Sequence, residues 1–221
     1  MPTTVRIKRP DAVLWDMDGT LIDQTRAIVR CYCEIINNMG LPAPQPQAIL
    51  RSLGGPMAST MRLFIPDGQV DEACSQFRLR FPEIMFDGLI LLAGGEALIQ
   101  RFQQAEIPQA ILTNKHGKTA RRISQHSGFD QHIAVCVGNS DTEWSKPQAE
   151  LTHHVLQRMN VTTSGACIIG DSPTDIETAH NAGLPCYGVA TGAHCVAELL
   201  EARAEAAFEN LNELSAAFCQ L

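Results

Sequence analysis

Apolar residues along the chain recur with two different periods, and they divide it into unlike blocks. Val13-Leu14-Trp15 is a short apolar run with no polar alternation, the pattern of a strand buried on both faces. From 24 to 39 the period changes. Ile28, Cys31, Tyr32, Ile35, Ile36 and Met39 fall along one face of an amphipathic helix. Gly40 is placed to stop it, and Pro42, Pro44 and Pro46 keep the next loop non-helical. Further helical stretches are predicted over 47–53, 57–65 and 70–81, and no strand from 23 to about 87.

After that block, strands and helices alternate. The pattern predicts helices over 96–106, 118–127, 147–159, 173–182, 196–204 and 211–218. It predicts strands at 110–112, 133–137, 166–169 and 186–190, with 206–208 as an edge strand. Pro147 suits a first helical position. Such alternation predicts an α/β fold: a doubly wound, mainly parallel, Rossmann-like sheet, with a small all-helical domain inserted after the first strand. The boundaries expected are a core of 1–22 and 88–221 and an insertion of 23–87, with hinges near Asp23 and near Asp87-Gly88.

Composition narrows the class without choosing a function. At 221 residues, 45% hydrophobic and 19% charged, the chain can bury one sizeable core. A net charge of −7 argues against a nucleic-acid surface. No apolar run approaches the ~20 residues of a membrane span, and Met1 to Arg6 lack the apolar core of a signal peptide. Eight cysteines occur without a Cys-x-x-Cys pair; Cys136, Cys167 and Cys186 read as small buried hydrophobes. The expected setting is a reducing cytoplasm, with no nucleic acid or membrane as partner and a monomer or homodimer as the assembly.

Candidate chemistry gathers at the strand ends. Asp16 and Asp18 follow the first strand, with Gly19 permitting a sharp backbone turn. Thr113 and Asn114 leave the second strand, Lys146 precedes a helix, and Asp171 and Asp175 follow a later strand. In a parallel sheet these ends open onto one crevice. Carboxylates gathered there repel one another unless a cation joins them, and oxygen-only ligands suit Mg²⁺. Thr113 and Lys146 suit a phosphate. Taken singly, each has a plainer use: a helix cap, a solvated lysine, or acids favoured at a helix start. In the insertion, Arg51 with Gly54 and Gly55 reads as a specificity loop or a surface arginine.

The order Asp-x-Asp-Gly-Thr, Thr-Asn, Lys-Pro and Gly-Asp-Ser-x-x-Asp resembles the four motifs of the haloacid dehalogenase superfamily. The match runs from Asp16 to about Gly183. Thr113-Asn114-Lys115 with Gly170-Asp171-Ser172 is most similar to its phosphoglycolate phosphatase-like branch. The resemblance implies that the insertion is a helical cap and that the chain is a phosphatase. It implies Asp16 as nucleophile, Asp18 as acid/base, and Mg²⁺ held by Asp16, the Asp18 carbonyl and Asp171, with Asp175 ordering the site. Thr113, Lys146 and backbone N–H groups near Asn114 and Gly19 would hold the phosphate oxygens. Cap closure predicts a compact phosphorylated metabolite. A phosphosugar mutase of the β-phosphoglucomutase type, or a non-catalytic binding protein on the same scaffold, are the alternatives.

Overall fold

The computed structural model describes residues 5–218, so the expectation for Met1 to Arg6 falls mostly outside the described residues. Strand β1, Ala12–Trp15, is completely buried, as its unbroken apolar run requires. Val13 and Trp15 pack into one hydrophobic layer and Ala12 and Leu14 into the other. Trp15 packs at a tilt against Phe102, ring centroids 5.8 Å apart, and its indole N–H donates to Gln109 Oε1 at 3.0 Å, which satisfies the one polar atom of a buried ring.

Around it stand β4 (Gln109–Thr113), β5 (Val135–Gly138), β6 (Ala166–Gly170), β7 (Cys186–Val189) and β8 (Ala206–Phe208). Their order is β5-β4-β1-β6-β7-β8, and every pairing is parallel. Helices α5 (Gly95–Gln104) and α10 (Leu211–Ala217) bring Leu98, Phe102 and Leu214 to one layer. Helices α7 (Ala149–Met159), α8 (Pro173–Asn181) and α9 (Val196–Glu201) bring Leu151, Val155, Ile176 and Leu199 to the other. Helix α6 (Gly117–His126) covers β5. The sheet order reverses beside β1, so the ends of β1, β4 and β6 share one crevice.

Between residues 25 and 84 the regular elements are helical: α1 (Thr25–Asn38), α2 (Pro46–Arg51), α3 (Met57–Arg62), a 3₁₀ turn at Asp67–Gln69 and α4 (Val70–Ile84). Helix α1 buries Ile28, Cys31, Tyr32, Ile35 and Ile36 against α4, the face its spacing predicts. Helix α4 carries Pro82 within it and runs to Ile84, past the expected end at Phe81, with Ile84 buried.

Several local expectations are corrected. The junctions with the core form a two-residue antiparallel ribbon, β2 (Ile22–Asp23) with β3 (Ile90–Leu91), too short to leave a periodic signature. Gln24 Nε2 also donates to the Met85 carbonyl across that junction. Ile133 closes the 3₁₀ turn Phe129–Gln131 by donating to the Phe129 carbonyl at 2.8 Å, so β5 starts two residues later than expected. Pro147 follows a cis peptide and stands before α7, whose N-cap is Gln148. Cys167 and Cys186 are buried, but Cys136 is only half-buried.

Candidate active site

Asp16 leaves β1 with its own N–H donating to the Ile169 carbonyl of β6 at 2.9 Å, which holds the strand end between its neighbours. Lys146 reaches it from the loop before α7. Its Nζ donates to Asp16 Oδ1 and to Asp175 Oδ1, each at 2.6 Å, and the side chain is 1% exposed. Asp175 Oδ2 accepts from the Ser172 N–H and hydroxyl at 3.1 and 2.6 Å, a capping box that opens α8. Asp171 Oδ1 accepts from the Thr20 hydroxyl at 3.1 Å. Four positions scattered over 160 residues of sequence are thus brought together.

One lysine does not balance this cluster. Carboxylate oxygens of Asp16, Asp171 and Asp175 lie within 4.8 Å of one another, and all three residues are buried. Three carboxylates against one ammonium leave an excess of two negative charges. Burial pushes the Asp16 carboxyl up, Lys146 pulls it down, and Asp175 and Asp18 raise it again, to about 7. Asp171 is also raised well above the ordinary range, first by burial and then by Asp175 and Asp16. Burial alone would lower Lys146, but Asp16 and Asp175 more than reverse that and hold it above the ordinary lysine value.

The oxygen-only donor set and its surplus charge fit a divalent cation. Space for one is kept by glycine: a Cβ at Gly19 or at Gly192 would overlap the Asp171 carboxylate. Gly19 also has φ +82°, a left-handed conformation that favours glycine. Asp175, with both oxygens taken by Lys146 and Ser172, braces the cluster, leaving Asp16 and Asp171 as the donors turned to the crevice.

Asp18 lies apart from that cluster. Its Oδ2 is 2.8 Å from Lys115 Nζ, while its Oδ1 is buried without a hydrogen-bond partner. Lys115 also donates to Gln24 Oε1 at 2.9 Å and stands 4.9 Å over the Phe81 ring. In sequence Lys115 stands out only as part of Thr113-Asn114-Lys115, with nothing to pair it with Asp18. A lysine beside a Thr-Asn strand end was the available signal.

Three residues expected at the phosphate or substrate have partners within the protein. The Gly19 N–H donates to the Ile22 carbonyl at 2.8 Å, so it closes a turn. Asn114 spends its side chain on structure: Oδ1 accepts from the Lys146 N–H at 2.9 Å, and Nδ2 donates to the carbonyls of Lys146 and Gly54. It therefore clamps the backbone that delivers Lys146. Arg51 does not line the crevice; it is exposed and pairs with Glu198 at 2.6 Å. Thr113 does line it, buried at the end of β4, with Oγ1 accepting from the Lys115 N–H at 3.2 Å.

The crevice is a cavity of about 590 Å³ between the strand ends and the helical insertion. His116 lines it, lowered from its ordinary pKa by burial and by Arg78. Exposed Arg78, Lys118 and Arg122 stand around it, cationic residues on an otherwise acidic chain.

A haloacid dehalogenase-like hydrolase family model matches residues 13–189, which span every side chain of the cluster. The chain belongs to the haloacid dehalogenase-like hydrolase family. Within it, the similarity runs to the phosphoglycolate phosphatase-like branch. The chain is 31% identical to a phosphoglycolate phosphatase of Rhodobacter capsulatus over 184 residues, 79% of this chain and 81% of that one. It is 28% identical to the tyrosine-protein kinase PtkA of Mycobacterium tuberculosis, but covers only 63% of that protein's length against 83% of its own. A haloacid dehalogenase-like hydrolase from Streptococcus pneumoniae shares the fold with a TM-score of 0.84 at 23% identity, over 93% of this chain and 96% of that one. Among the described residues no helix is long and apolar enough to cross a membrane.

Proposed function

We propose that the chain is a Mg²⁺-dependent phosphatase that hydrolyses a small phosphomonoester through an aspartyl-phosphate. The observation that carries this reading is the separation of the two aspartates: Asp16 sits in the carboxylate–Lys146 cluster, while Asp18 is held alone by Lys115 with one oxygen unpaired. Phosphoglycolate phosphatases among the relatives support it.

In this reading Asp16 attacks phosphorus as its carboxylate, forming an acyl phosphate while the ester P–O bond breaks. Asp18 gives its proton to the departing alcohol. It then takes a proton from the water that attacks phosphorus, which releases phosphate and restores Asp16. Lys146 offsets part of the charge of Asp16 and Asp175, which eases the approach of a phosphate dianion. Asp16, Asp171 and the Asp18 carbonyl would hold Mg²⁺, which would supply positive charge beside the phosphate oxygens. Thr113 offers a hydroxyl to them. Residues 23–87 act as the cap, joined to the core through the β2–β3 ribbon, and shut water out of the cavity.

The test is phosphate release from a panel of phosphate esters with Mg²⁺ and with EDTA, using Asp16→Asn as control. Release should need both the metal and Asp16. Full turnover in EDTA, or by the variant, would overturn the mechanism.

A further inference from the structure

The insertion is already seated on the core at three separate places. Asn114 Nδ2 donates to the Gly54 carbonyl at 2.9 Å, Lys115 stands over the Phe81 ring at 4.9 Å, and Arg51 meets Glu198 at 2.6 Å. The cavity of about 590 Å³ is therefore the space left beneath a docked insertion. That falls within the ~300–1,000 Å³ of sites that hold organic ligands of some size. A phosphoryl group, at two or three waters of roughly 30 Å³ each, fills a small part of it.

The walls differ sharply in chemistry. The floor carries Asp16, Asp18, Asp171, Thr113 and Lys115 from the strand ends. The roof is mainly apolar, with Ile28, Tyr32, Leu53, Met57, Phe77 and Phe81 from the insertion, and Gln47, Thr60 and Arg78 are its polar members. Three of these are aromatic rings in mutual contact. Tyr32 and Phe77 lie 4.8 Å apart, and Phe77 stacks on Phe81 at 5.1 Å and 16°. Tyr32 and Phe81 are buried, whereas Phe77 is half-buried and faces the cavity.

We infer that the substrate is a phosphate monoester whose alcohol carries an apolar, aromatic-sized body, bound against the Tyr32–Phe77–Phe81 surface while its phosphate lies on the floor. A short hydrophilic acid ester would leave that roof facing trapped water, with no apolar burial gained. This rests on the phosphatase reading for the floor, but the roof can be tested by itself.

The probes are 2-phenylethyl phosphate, ethyl phosphate and 2-phosphoglycolate. The first two share a primary alkyl leaving group and differ by the phenyl ring. Binding is measured by calorimetry on Asp16→Asn with Mg²⁺, and kcat/KM on the unaltered protein. The phenyl compound should bind about tenfold to a hundredfold more tightly than ethyl phosphate, with a like advantage in kcat/KM. Phe77→Ala should shrink that ratio, and Phe77→Leu should keep most of it. Equal binding of the first two, or a preference for 2-phosphoglycolate, overturns the inference. A phenyl preference in calorimetry with no phosphate released from any ester keeps the apolar site and overturns the phosphatase reading instead.

Discussion

Lys115 Nζ lies 2.8 Å from Asp18 Oδ2, although the two residues come from different strand ends, and the same ammonium touches the insertion through Gln24 and Phe81. One side chain therefore couples the proposed acid/base to the roof of the cavity. Lys115→Met should leave Asp18 unoriented and lower kcat about 10²-fold, the low end of what positioned acid/base catalysis supplies. Steady-state kinetics check this. Asp18→Asn should cost at least as much, and the double variant little more than Asp18→Asn alone.

Lys146 is the cation of a buried cluster, so its loss exposes the full carboxylate excess. Lys146→Met should destabilise the protein by about 3–5 kcal/mol in urea unfolding, because two buried carboxylates lose their partner. Adding Asp175→Asn removes one of them and should recover part of that stability without recovering turnover. No recovery would mean that Lys146 acts mainly through packing.

The raised Asp16 carboxyl gives a pH dependence with a definite sign. Its folded value of about 7 lies above the ordinary 3.8, so the native state holds a proton that the unfolded chain has lost. The stability this contributes is complete below about pH 4 and is lost as pH rises to 7. Metal-free protein should therefore melt at falling temperature over that interval. Mg²⁺ competes with that proton, so its stabilising effect should grow from pH 5 to pH 8. Glu198, lowered to about 2 by the Cys195 N–H and then Arg51, contributes in the opposite sense, gaining stability as pH rises to about 5, so the fall belongs to the upper part of the interval. Calorimetric melts with Mg²⁺ or EDTA decide it: a metal effect that shrinks with pH contradicts the carboxylate site.

Gly192 stands where any side chain would strike Asp171. Gly192→Ala should displace that carboxylate and abolish the Mg²⁺-dependent rise in melting temperature, with the metal-free melt changed far less. Arg51 supplies the contrast. Its ion pair with Glu198 is exposed and lies outside the cavity, so Arg51→Ala should leave stability nearly unchanged. Its kcat/KM should stay within about twofold, the range of ordinary surface changes. A large rise in KM would restore Arg51 as a substrate contact.

Much of this protein was legible in its sequence, and the reason is local. A strand buried on both faces must be apolar throughout, so β1 and its neighbours announced themselves, and helix α1 showed its buried stripe by spacing alone. The order of the four motifs placed Asp16, Asp18, Thr113, Lys146, Asp171 and Asp175 at loops of one parallel sheet. What tertiary structure decided is which partners their polar atoms found. Lys146 bridging Asp16 to Asp175, Asn114 clamping the Lys146 backbone, Lys115 taking Asp18, and Arg51 turning outward to Glu198 each join residues 29 to 147 positions apart or cross the cap boundary. Hydrogen bonds and ion pairs of that kind depend on positions a few tenths of an ångström apart in the folded chain, and no periodicity in sequence records them. The Asp-x-Asp stretch states the chemistry; the packed sheet and the seated insertion assign each carboxylate its partner and leave an apolar roof above it.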